Sequence, residues 1–126
     1  MARKIEIEIN NVLYVGDTSP AKDQVEMLCV ATQNGMLPFT TKEVKDMTVV
    51  SGIAALNPIA LERLKELVIR KGGFKRVVDS VPVGENLFQD EVHLFLLLLG
   101  RGLAENIGPF WNLSKIDNVE VGAQAK

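Results

Sequence analysis

The chain has one cysteine and one histidine in 126 residues, and that scarcity excludes much chemistry before any pattern is read. Cys29 has no partner for an intrachain disulfide, which suits a reducing compartment. His93 has Asp90 three residues earlier, a helical spacing that could orient an imidazole, yet catalysis also needs a nucleophile or a cleft. A metal site would have only Cys29 and Glu91 to add to His93. Neither a Walker pattern nor G-x-G-x-x-G is present, and Gly100-Arg101-Gly102 follows a helical run, not a strand. No charge of one sign dominates: 14 Lys and Arg against 16 Asp and Glu give a net charge of −2, with no global pull toward nucleic acid or anionic membranes. The opening MARKIEIEIN lacks the apolar core of a signal peptide. The longest apolar run, Leu94 to Leu99, is six residues, whereas a membrane span needs about 20. The expectation is a cytoplasmic protein that is not an enzyme, with no cofactor, no metal, no nucleic-acid partner and no membrane partner.

Forty-seven per cent hydrophobic content argues against disorder, and the length fits one domain with a real core. We expect that domain over residues 1–113 and a flexible tail over 114–126, where little could anchor the chain. Residues 3 to 9 alternate strictly, with Ile5, Ile7 and Ile9 on one face and Lys4, Glu6 and Glu8 on the other, the pattern of a half-buried strand. Asn10-Asn11 can supply the positive φ angles of a tight turn, and Val12 to Val15 makes the return strand. A lone hairpin is marginal in water, so its isoleucine face must pack on later helices or in a sheet completed by another chain.

Ser19-Pro20 reads as an N-cap and first helical proline, opening a helix that Asn34-Gly35 closes, with Val25, Leu28, Cys29 and Thr32 on its core face. Thr40 and Glu43 have capping-box spacing for a second helix reaching about Leu56. Its Thr48-Val49-Val50 stretch favours strand locally, and Gly52 weakens its interior. Asn57-Pro58 repeats the cap-plus-proline signal for a third helix ending at Gly72-Gly73. Residues 74 to 85 read as a connector. A final helix from near Glu85 or Asn86 runs to Gly108-Pro109. The fold class is therefore α+β, mostly α-helical: an N-terminal β-hairpin followed by about four helices.

Two surfaces stand out. The final helix carries more apolar surface than one core needs, and the run admits two readings that can hold together: a central helix buried on all sides, or an interface for self-association or a client. The candidate interaction residues are Leu94, Leu97, Leu98, Phe110 and Trp111. Arg70, Lys71, Lys75 and Arg76 surround Gly72-Gly73 as a candidate patch for an acidic partner, or as a solvated helix end favoured by the macrodipole.

The opening KIEIEINNVLYVG, the central LNPIALERLKELVIRKGG and the closing ENLFQDEVHLFLLLLGRGLAENIGPFW together resemble the small tail assembly chaperones of long-tailed bacteriophages, as an overall pattern covering most of residues 3 to 113. The resemblance carries no catalytic or ligand motif. It implies a non-enzymatic, mostly helical protein of the host bacterial cytoplasm, encoded by a phage or prophage, that binds the tape-measure protein and keeps it soluble while tail-tube protein assembles around it. It also implies a homo-oligomer, and often a second, longer form made by translational frameshifting near the C-terminal end. The competing reading is a dimeric regulatory or adaptor domain that uses the basic patch on an acidic protein partner.

Overall fold

The computed structural model describes residues 2–41 and 43–113; the expected flexible tail over 114–126 lies outside them. The chain is α+β and mostly helical, with one four-stranded antiparallel sheet in the order β1 (Lys4–Ile9), β2 (Val12–Asp17), β3 (Lys75–Arg76), β4 (Val81–Pro82). Asn10 and Asn11 have φ of 53° and 68°, so the β1–β2 link is a two-residue turn of the type whose twist matches the strands it joins. The alternation in β1 resolves as expected: Ile5, Ile7 and Ile9 are buried and Lys4, Glu6 and Glu8 exposed.

Helix α1 (Ala21–Gln33) closes as expected. Gly35 takes φ 68°, its N–H donates to Thr32 O, and the Met36 N–H donates to Ala31 O, a Schellman ending. Its beginning and its core face differ from expectation. Ser19 does not cap the helix; its backbone N–H donates to Asn106 Oδ1 (2.8 Å) and its Oγ to Leu67 O (2.6 Å), tying the helix entry to two other elements. Met27 and Ala31 are the fully buried residues, whereas Val25 is 63% exposed and Cys29 is also exposed, so Cys29 is not core filling. Both stripes have helical period, and the choice between them belongs to the neighbours that α1 meets.

The expected capping box at Thr40 and Glu43 is absent. Leu37–Thr40 is a 3₁₀ turn, and α2 (Asp46–Ala54) begins later, without a side-chain cap. Thr40 turns inward instead: its hydroxyl donates to Leu37 O and accepts from Trp111 Nε1 (2.8 Å). Helix α3 (Pro58–Leu64) has the expected cap, Asn57 Oδ1 accepting from the Ala60 N–H at 2.9 Å. It runs on as a π-helical segment over Lys65–Arg70, which turns Leu67, Val68 and Ile69 all into the core. The expected connector over 74–85 contains β3 and β4, a short hairpin that extends the sheet beyond β2.

Helix α4 (Val92–Ile107) lies at the centre of the molecule, against β1, α1, α2 and the π segment. It starts later than expected, because Glu85–Phe88 forms a 3₁₀ turn and Asp90 takes φ 69°. Phe95, Leu98, Leu99 and Leu103 are buried, each worth about 1.5–3 kcal/mol of transfer from water. Gly100 makes the close approach possible: a Cβ there would sit 2.4 Å from Val49 Cγ1. No helix among the described residues is long and apolar enough to cross a membrane.

Candidate functional site

The order of the sheet leaves β1 as its one long outer strand. Ile9 and Val12 flank the two-residue turn and form the hydrogen-bonded pair that closes it, so the ladder bonds recur at Ile7 with Tyr14 and Ile5 with Gly16. The bond from the Thr18 N–H to Arg3 O (2.8 Å) continues the same phase. Antiparallel alternation then directs the N–H and C=O groups of Lys4, Glu6 and Glu8 away from β2, along the open edge.

Beside that edge runs an open groove of about 800 Å³, walled by β1 from Glu6 to Asn10 and by one stripe of α4. Leu94, Leu97, Arg101 and Ala104 recur at three- and four-residue intervals on α4 and so share a face. Arg101 is held by Asp46 Oδ1 and Val44 O, both at 2.7 Å. Arg3 binds the Glu105 side chain (2.9 Å) and its carbonyl (2.6 Å). Among the described residues, Glu6, Glu8 and Glu91 have no ion-pair partner, so the groove has a mixed lining, in which leucines stand beside the paired Arg101, and an acidic lip. A second trough of about 540 Å³, bordered by Arg3, Thr40 and Trp111, shares Ala104 and Glu105 with the first.

The expected interaction residues therefore do not form one surface. Leu94 and Leu97 line the groove, though only 7% of Leu97 is exposed. Leu98 is fully buried and unreachable by a partner. Consecutive helical residues point about 100° apart, so Leu97 and Leu98 cannot share a face, and the face of Leu98 is covered by the chain's own core. Phe110 and Trp111 are half-buried in a 3₁₀ turn after α4, with ring centroids 5.5 Å apart, and only Trp111 reaches a trough.

The basic patch is partly neutralised. Arg70 pairs with Glu66 at 3.1 Å, and Arg76 makes two bonds to Asp79 at 3.0 and 2.6 Å, which hold the Asp79 carboxyl below its ordinary pKa. Lys71 and Lys75 remain exposed beside them. His93 is exposed at the groove, and Asp90 lies before α4 begins, so the helical spacing expected to join them does not exist. The acidic edge itself was missed by sequence reasoning. Its signal was present in KIEIEI: a strictly alternating strand with carboxylates on its open face, at one end of a hairpin. No family model, no curated protein and no solved structure matches this chain.

Proposed function

We propose that this protein is a tail assembly chaperone of a long-tailed bacteriophage, a non-enzymatic binder that keeps the tape-measure protein soluble while tail-tube protein assembles around it. The resemblance, an overall pattern over most of residues 3 to 113, supplies the identity of the client. The observation that supports a polypeptide client is the groove between the open edge of β1 and α4, an elongated trough with apolar and charged walls instead of an enclosed cavity. Such a site covers apolar seams of a long client and stabilises its soluble form by mass action.

Co-expression with the tape-measure protein from the same genome tests the reading, with solubility and co-elution followed by size-exclusion chromatography and light scattering. The expected result is a soluble complex of defined stoichiometry. A client that stays insoluble beside a well-folded partner overturns it.

A further inference from the structure

We propose that the β1 edge receives an extended polypeptide segment as a fifth strand, and that the segment it selects alternates apolar with basic residues. The edge offers the backbone half of the contact: the outward N–H and C=O groups of Lys4, Glu6 and Glu8 are the ladder positions that β2 does not use. The groove offers the room, since it runs along β1 from Glu6 to Asn10.

Side-chain chemistry follows from the pleat. On an added strand, alternate side chains point to opposite faces of the sheet. One set falls on the side of Ile7 and Ile9, over Leu94, Leu97 and Ala104 of α4 and beside Arg101, whose charge is already paired with Asp46, so apolar side chains suit it. The other set falls on the open face beside Glu6 and Glu8, whose carboxylates have no cationic partner among the described residues, and a basic residue there gains charge pairing. A second copy of β1 is a poorer occupant. Antiparallel pairing centred on Ile7 sets Glu6 against Glu8 twice; centring on Glu6 sets that carboxylate against its own copy, though it brings Lys4 to Glu8; and centring on Ile5 pairs Lys4 with Glu6 but overlaps only residues 4–6 of the two strands. Charges on an edge strand also guard it against indiscriminate pairing, so the same carboxylates make the edge selective.

The inference rests on the chaperone reading only for who the partner is; the binding mode is tested without it. The probe is a labelled synthetic peptide of alternating valine and lysine, as long as β1, compared with one of alternating valine and glutamate. Binding is read by fluorescence anisotropy, and amide hydrogen exchange of the protein is followed by NMR. The expected result is that the valine–lysine peptide binds, that the Lys4, Glu6 and Glu8 amides slow by about tenfold or more, and that the Ile5, Ile7 and Ile9 amides, already bonded to β2, change little. The double variant E6K/E8K should lose about tenfold in affinity while its circular dichroism and urea midpoint stay put, because both side chains are exposed.

Equal binding of the valine–glutamate peptide overturns the proposal, as does binding without protection of the three outward amides. It is also overturned if those amides are already protected in the free protein in a concentration-dependent way, which is the signature of β1 pairing with a second copy. A tape-measure protein held soluble without edge protection removes strand addition and leaves the chaperone reading. Edge protection by the peptide, with no effect on a tape-measure protein, does the reverse.

Discussion

Helix α4 and strand β1 touch each other along the core, yet they distribute apolar and charged residues in opposite ways. The helix has a run of six large apolar residues, and its neighbours on α1, α2, β1 and the π segment cover nearly all of it. The strand devotes half its residues to charge and keeps an unpaired backbone edge along a groove. The hydrophobicity of a segment measures how much covering it needs, but topology decides what does the covering. In this fold the most apolar segment is used up internally, and the place we propose for another chain is the edge of a strictly alternating strand that is half charged.

The sharpest way to break the contrast is Leu98→Ala. If the far side of α4 is core, truncation should cost about 2–5 kcal/mol in urea denaturation, while the folded fraction binds the valine–lysine peptide as before. A loss below about 1 kcal/mol, accompanied by weaker peptide binding, would return Leu98 to an interaction surface and collapse the distinction.

A smaller effect is expected where α4 is fixed by polar contacts. Asn106 is 5% exposed; its Oδ1 accepts from the Ser19 N–H, and its Nδ2 donates to Gly102 O at 2.9 Å. Asn106→Ala strands a buried N–H and should cost about 1–3 kcal/mol, with faster exchange of the Ser19 amide. Unchanged exchange at Ser19 would mean that the helix entry is held by the Ser19 Oγ bond to Leu67 O alone.

The parts that were legible from sequence are those where one local signal has one structural outcome. Asn10-Asn11 permits a two-residue turn, Asn57-Pro58 a capped helix start, and Asn34-Gly35 a helix stop. Legibility failed where a side chain had a distant use. Ser19 and Thr40 each carry a local capping signal, but their partners are Asn106, Leu67 and Trp111, far along the chain. The strands β3 and β4 are two residues each, too short to show any period, and exist because β3 takes the free side of β2 and β4 pairs back onto β3. Half of the candidate site was visible, as Leu94 and Leu97. The other half was not, because which strand ends up at the edge is a property of the assembled sheet and not of KIEIEI itself.

The smallest expected effect is a pH dependence placed away from the β1 edge. Lys65 Nζ pairs with Glu62 and also with Glu85 Oε2 at 2.5 Å, the latter joining the π segment to the 3₁₀ turn that carries Phe88. Phe88 packs between Tyr14 and Phe95, with ring centroids at 5.6 and 5.8 Å, so the pair anchors a loop to the core. The hydrogen bond from Lys65 holds the Glu85 carboxyl below its ordinary value of 4.5. A folded pKa lower than the unfolded one means stability that is fully present above pH 4.5 and is lost as pH falls through the depressed value. The Glu85 side chain is 59% exposed, so solvent screening keeps the contribution below about 1 kcal/mol. Glu85→Gln should therefore flatten the acid limb of the stability curve slightly and leave amide exchange at Lys4, Glu6 and Glu8 unchanged. If those edge amides respond as well, the loop and the groove share one opening unit, and the division between a self-satisfied helix and an open strand edge must be redrawn to include the Phe88 cluster.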